Sequence, residues 1–343
     1  MNHVRSPLAP MEALSIAEIP EGPEWIYEPK WDGFRCIAFR DRDSVVLQSK
    51  SGKALDRYFP EIVEGLKKLA PKSFVLDGEL AVPVKGAFSF DDLLQRIHPA
   101  QSRVKTLAAE TPAIFIVFDL LAVGGKSLLD QPFKQRRAAL EQFTDRAFCN
   151  DGTFRLSPVT RSVTAAKKWL RRTGGNLDGI IAKRVDLPYR SGTRDGLQKI
   201  KTIRTADCVV GGFRYNEGTS VVGSLLLGLY DDEGLLNHVG FTSSFPQAEK
   251  KRLTPKLEKL VGGPGFTGVA PGGPSRWSTK RSGAWKPLKP KLVVEVSYDH
   301  FSGGRFRHAT GLVRWRPDKA PGQCRMDQLN QKAAKFASLF PRA

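Results

Sequence analysis

Near Ile203 the chain changes character, and that change limits the folds open to it. Before it, short runs rich in Val, Ile and Phe alternate with stretches whose apolar residues recur every three or four positions. The runs lie at Ile37 to Phe39, Val45 to Gln48, Phe74 to Val82, Ala113 to Leu121 and Gly179 to Lys183, and such residues suit a pleated, half-buried surface. Between them Phe59, Ile62, Val63, Leu66 and Leu69 mark one face of a helix within Arg57 to Ala70. Lys134 to Phe143 and Ser162 to Arg172 read alike, the latter opened by Ser162 and closed by Gly174 and Gly175. Beyond Ile203 come short strands separated by turns, at Cys208 to Tyr215, Ser224 to Tyr230, Asn237 to Thr242, Leu292 to Tyr298 and Leu312 to Trp315. One helical segment near Gln247 to Leu260 and a Gly/Pro-rich stretch from Gly262 to Pro274 interrupt them. The pattern predicts an α+β domain with mixed or antiparallel sheets over residues 1–203, and a small β-barrel over residues 204–343. The first twenty residues lack periodicity and are expected to be a lead-in wrapped on the surface or a flexible arm.

At 343 residues the chain has room for two cores. Lys and Arg number 54 against 35 acidic residues, a formal net charge of +19. An excess of that size points to a polyanionic partner, nucleic acid first; the alternative is a charged surface that only maintains solubility. No apolar run approaches the ~20 residues of a membrane span, and Met1 to Pro20 lacks the hydrophobic core of a secretory signal, so no membrane partner and a cytoplasmic location are expected. Cys36, Cys149, Cys208 and Cys324 form no CxxC pair, which argues against a zinc site or a disulfide framework.

The segment with most chemistry is Glu28-Pro29-Lys30-Trp31-Asp32-Gly33-Phe34-Arg35. A lysine amine is a poor nucleophile while protonated, so a site that uses one must desolvate it or place positive charge beside it. Tyr27, Trp31 and Phe34 are able to exclude water, Gly33 lets backbone approach a ligand, and Arg35 offers a second cation that also grips an anion. Asp32 is suited to holding the loop or receiving a proton. An exposed turn at a strand end with an ordinary Lys and Asp is the other reading of the same residues.

Further segments carry related residue types. Lys50, in Gln48-Ser49-Lys50-Ser51-Gly52, sits at a strand end where it meets either a phosphate or sugar or only solvent. Leu76-Asp77-Gly78-Glu79-Leu80 puts two carboxylates on one face of an apolar strand, where they need a cation, a metal or hydrogen-bond donors. Phe118 is either a platform for a base or a core residue. Asp178, ahead of Lys183 and Arg184, is able to join Glu79 in a Mg²⁺ site, since Mg²⁺ at phosphates takes only one or two carboxylates. Lys199 and Lys201 alternate on one strand face downstream of Arg194, an arrangement that suits a triphosphate or, equally, a guarded edge strand. Arg314 to Lys319 adds a last basic cluster.

In this order the segments resemble the nucleotidyltransferase motifs of ATP-dependent DNA ligases, and the chain is similar to the small bacterial ones called C-type, from Trp25 to about Leu329. The resemblance implies an adenylation domain followed by an OB-fold, the oligonucleotide-binding kind of β-barrel. It implies that Lys30 forms a lysyl-AMP, that Glu28 reads the adenine amino group and Phe118 stacks on adenine, and that Arg35 and Glu79 contact the ribose or neighbouring groups. Lys50, Arg194, Lys199 and Lys201 would bind the rest of ATP, Arg316, Asp318 and Lys319 would orient pyrophosphate, and Glu79 and Asp178 would hold Mg²⁺ or Mn²⁺. Asp178 stands where the family usually has Glu, and Lys50 where Arg is common, which loosens both assignments. The implied substrate is nicked double-stranded DNA, sealed by a nucleoid-associated monomer in repair, with DNA end-binding or repair proteins as candidate partners and the Gly262 to Pro274 stretch as a clamp or a linker. An mRNA capping guanylyltransferase shares the lysine motif and differs in nucleotide choice. A non-catalytic DNA-binding protein would need only the charge.

Overall fold

The computed structural model describes residues 4–148, 152–171, 177–272, 284–329 and 339–340; Cys149, the Gly174 and Gly175 pair, and Gly273 and Pro274 lie outside them. Internal contacts divide the chain into two units, one running from Met1 to Thr202 and including Leu339 and Phe340, the other Ile203–Gln331.

In the first unit the principal strands are β1 (Leu14–Ile16), β2 (Trp25–Trp31), β3 (Phe34–Asp41), β4 (Ser44–Ser49), β5 (Ser73–Ala81), β6 (Ile114–Val123), β7 (Phe154–Leu156), β8 (Leu177–Arg184) and β9 (Leu197–Ile200). They form two sheets, ordered β1-β9-β8-β2 and β7-β6-β5-β3-β4. Pairing is antiparallel except for β1 with β9 and β7 with β6. The expected α+β class with mixed sheets is therefore present. Both faces of β2 and β6 are buried almost throughout; β6 reads as a nearly continuous apolar run, whereas β2 carries Glu28-Pro29-Lys30 in its middle.

The helices are α1 (Pro60–Lys68), α2 (Phe90–Gln95), α3 (Gln101–Glu110), α4 (Phe133–Ala147) and α5 (Val163–Arg171). Pro60 opens α1, where its missing N–H goes unneeded, and Ile62 and Leu66, one turn apart, are fully buried. They join Phe59, Leu47, Phe74, Leu76 and Phe115 in the core under the larger sheet. Ala166 of α5 packs with Trp25, Tyr27 and Ile180 under the smaller one. Arg136 of α4 donates both Nε and Nη2 to the Asp119 carboxylate at 2.9 Å, which ties that helix to β6 where Phe118 sits.

Only Asp32 and Gly33 separate β2 from β3, so the chain passes from one sheet to the other in a two-residue corner. A Cβ at Gly33 would overlap the carbonyl oxygen of Leu80 on β5, and glycine alone permits that approach. A second constraint lies opposite. Between Leu177 paired with Trp31 and Gly179 paired with Lys30, Asp178 is the extra residue of a β-bulge. Gly179 there has φ +140°, and a side chain on it would strike the Ile200 carbonyl. Bulges re-aim side chains, and this one turns Asp178 towards Lys30.

The second unit contains β10 (Arg204–Tyr215), β11 (Val222–Tyr230), β12 (Leu236–Thr242), α6 (Gln247–Glu258), β13 (Val293–Tyr298) and β14 (Gly311–Trp315). The strands pair antiparallel in the order β12-β11-β10-β13-β14. The two edges meet where Thr242 Oγ1 donates to the Thr310 carbonyl at 2.8 Å and Thr310 N donates to Phe241 O at 3.2 Å. The result is a curled, OB-like sheet, bridged rather than closed by a continuous ladder among the described residues. The Gly/Pro stretch is not a free connector over its described part. Thr267 N and Gly268 N donate to Leu236 O, His238 N donates to Val269 O, and Phe266 is buried in the core. No described helix is long and apolar enough to cross a membrane.

Gly33→Ala is expected to lower stability by ~1–3 kcal/mol, since backbone must move to accept the methyl group. Urea denaturation measures it, and an unchanged midpoint would show that the corner has slack.

Candidate active-site cleft

Both sheets of the first unit line an open cleft of about 1170 Å³. Glu28, Lys30, Arg35, Lys50, Glu79, Phe118, Arg194, Lys199 and Lys201 all face it. Asp178 does not line it but stands beside Lys30, and Arg316, Asp318 and Lys319 belong to the second unit.

Lys30 is the penultimate residue of β2, inside a strand rather than on an exposed turn. Its Nζ lies 2.5 Å from Asp178 Oδ2, and Lys201 Nζ lies 2.9 Å from the same oxygen. Despite burial, those two ammonium groups hold the Asp178 carboxyl below its usual value. Trp31, next in the strand, is 3% exposed and stacks on Phe340 with centroids 5.1 Å apart and the edge of Phe88 near it, which fixes the strand end that carries Lys30.

Arg35, expected as a second cation beside Lys30, is engaged by a carboxylate of the neighbouring strand. Arg35 Nε and Nη2 each donate to the fully buried Asp77 carboxylate at 2.6 Å, and Tyr189 Oη donates to Asp77 Oδ2 at 2.7 Å. A buried carboxylate needs a cation and hydrogen bonds, and the cross-strand neighbour supplies them. The guanidinium also lies over the Phe118 ring, 4.6 Å from its centroid, while Lys183 Nζ is 4.7 Å from that centroid.

Glu28 is 2% exposed. Burial raises its carboxyl pKa against the opposing pull of Lys183 and Arg137. Its Oε1 is 3.0 Å from Lys183 Nζ, and among the described residues no donor meets that oxygen in full hydrogen-bonding geometry. Glu79 is pushed up to about 7 by burial, with Lys30 and Arg35 pulling the other way and Asp32 and Asp77 adding to the rise.

Lys199 is lowered by burial and then by Lys201, Lys30, Lys50 and Arg194, so five cations share one part of the cleft. Crowded cations there favour an anion with several charges. One residue the sequence did not single out stands among them. Glu12 lies 3.1 Å from Lys50 and 3.2 Å from Arg194, and nothing local in its aperiodic segment could have revealed partners so far along the chain. On the second unit Asp207 is the comparable surprise: Arg316 Nη1 donates to it at 2.8 Å and Lys319 Nζ at 2.6 Å, while Arg316 also pairs with Asp318 and holds that carboxyl down to about 2.

A family model described as ATP dependent DNA ligase domain matches residues 9–201, and one described as ATP dependent DNA ligase C terminal region matches residues 218–319. The chain is 44% identical to DNA ligase C1 of Mycolicibacterium smegmatis, covering 95% of each. It is 42% identical to DNA ligase C of Mycobacterium tuberculosis, over 96% of this chain and 95% of the relative. Its fold is also like that of a solved Lig E DNA ligase, at a TM-score of 0.55 and 18% identity, covering 89% of this chain and 100% of that one.

Asp77→Ala is expected to cost about 3–5 kcal/mol, because Arg35 loses the carboxylate that accepts from both its Nε and its Nη2 while still partly buried. Asp77→Leu combined with Arg35→Met should recover most of that loss in urea denaturation; a double variant no better than Asp77→Ala would show that the pair is not what stabilises this wall.

Proposed function

The chain belongs to the ATP-dependent DNA ligase family, and we propose that it seals nicks in duplex DNA through an AMP carried on Lys30. ATP is the co-substrate. In the first step neutral Lys30 Nζ attacks the α-phosphorus, a nitrogen–phosphorus bond forms and pyrophosphate leaves; AMP then passes to the 5′-phosphate of the nick, and the 3′-hydroxyl displaces it. In phosphoryl transfer the protein chiefly positions groups and stabilises charge, and the residues of this cleft are suited to both.

Asp178, aimed by its bulge, orients Nζ; held at low pKa, it serves for position rather than as a base. Lys199, Lys201, Lys50 and Arg194 are assigned to the phosphates, which their crowding supports. Phe118 takes a face of adenine, and Arg35 and Glu79 take the ribose side. Arg316, Asp318 and Lys319 are assigned to the departing pyrophosphate on the strength of the family resemblance. Glu79 and Asp178 are assigned to Mg²⁺ on the strength of the family resemblance, as hard carboxylate oxygens of the kind it takes at phosphates; Asp178 would have to share its oxygen with, or release, Lys30 and Lys201. When bound, a divalent ion would offset charge on the phosphates. Nicked DNA is held through its phosphates by the +19 chain, which makes binding salt-sensitive and largely independent of sequence. Action as a monomer and a supplementary role in repair are further parts of this proposal.

The observation that carries the choice of nucleotide is the buried Oε1 of Glu28 in the cleft, which has Lys183 as an ion-pair partner but no well-aligned hydrogen-bond donor among the described residues. An adenine amino group would donate to it, whereas the guanine carbonyl oxygen would repel it, and a site built this way rejects the mismatched analogue strongly. Nick sealing on labelled duplex with ATP or GTP tests this. ATP is expected to support sealing and GTP to be worse by on the order of 100-fold in kcat/KM. Glu28→Ala should lose about 10- to 100-fold with ATP, and Lys30→Ala about 10⁴-fold or more. Sealing with GTP as efficient as with ATP, or sealing that survives in Lys30→Ala, would overturn the reading.

A further inference from the structure

Glu12 stands in the segment Pro10 to Ala13, which lines the cleft just ahead of β1. Its two carboxylate oxygens face different cations: Oε1 is 3.1 Å from Lys50 Nζ, and Oε2 is 3.2 Å from Arg194 Nε. Both cations are about two-thirds exposed, at 65% and 66%, and both are among those assigned to the phosphates of ATP. A carboxylate therefore sits between two groups that a polyphosphate would want.

The backbone of this segment is fixed without that carboxylate. Glu12 N donates to Thr193 O at 2.7 Å, one residue from Arg194. Ser191 Oγ donates to Ala9 O at 2.6 Å, and Met11 N bonds Tyr189 Oη at 3.0 Å. Immediately downstream, β1 pairs with β9 in a register that sets Ser15 beside Lys199. The Glu12 side chain is thus surplus to holding the wall. Exposed ion pairs of its kind are worth only ~0–1 kcal/mol each, weak enough to yield to a ligand that brings several negative charges to the same place.

We propose that Glu12 is an internal competitor for the phosphate end of the cleft, its carboxylate contending with the polyphosphate for Lys50 and Arg194. The proposal rests on the assignment of those two residues to the phosphates of ATP. Two consequences follow from the charge alone. A ligand with few charges at that end displaces Glu12 poorly, so the cleft favours a triphosphate over smaller anions. After transfer to Lys30, the same carboxylate aids the release of pyrophosphate by reclaiming its cations.

The test is inhibition of protein adenylation in the full-length chain, comparing wild type with Glu12→Gln, which keeps size and polarity but removes the charge. Tripolyphosphate is the probe for the phosphate end, and adenosine, which carries no phosphate, is the control. The inhibition constant of tripolyphosphate is expected to fall about fivefold in Glu12→Gln, with that of adenosine unchanged. A tripolyphosphate constant that stays the same or rises overturns the proposal while leaving the phosphate assignment standing, provided both proteins are inhibited. A fall shared by adenosine also overturns it, since a general change in the cleft wall would do that. If tripolyphosphate inhibits neither protein, the assignment of Lys50 and Arg194 falls along with it.

Discussion

The approach of Gly33 to the Leu80 carbonyl is the contact on which the cleft depends. It lets β2 end and β3 begin within two residues, so that one sheet presents Lys30 while the other presents Glu79 and Phe118 to the same space. A larger residue at the corner would push the sheets apart and separate the lysine from the groups that act with it. The bulge at Asp178, with Gly179 pressed on Ile200, does for β8 what the corner does for β2.

Charge is arranged around that geometry in two ways. Deep in the wall, Asp77, Arg35 and Tyr189 satisfy one another, and removing one member would leave a costly uncompensated group. Toward the cleft the balance is left incomplete: Glu28 has an oxygen with no well-aligned donor among the described residues, Glu79 is pushed toward neutrality, and five cations crowd one part of it. Complete networks keep a wall rigid, whereas incomplete ones are completed by a ligand. That difference separates structural from functional charges here better than burial does, since Asp77 and Glu28 are almost equally buried.

Much of this was legible in the sequence, for identifiable reasons. Strands such as β3, β5 and β13 show as apolar runs because their register buries one or both faces, and α1 shows because its buried residues recur each turn. The lysine motif and its acidic and basic companions were visible as residue types in order. What sequence could not give was pairing across the fold. Arg35 looked like a free cation because nothing local reveals that Asp77, on the neighbouring strand, takes both of its nitrogens. Glu12 looked like part of a featureless lead-in because its partner Arg194 is 182 residues away. β2 was hidden as a strand because it is buried on both faces and carries Glu-Pro-Lys in its middle.

The central claim is that the nucleotide is carried on Lys30. It is tested most directly by incubating the protein with ATP and a divalent cation, then locating the added mass by peptide mass spectrometry. The account predicts one AMP per chain, on the peptide containing Lys30. AMP found instead on Lys183, Lys199 or another residue, or a protein that seals nicks with no AMP attached at any stage, would contradict it.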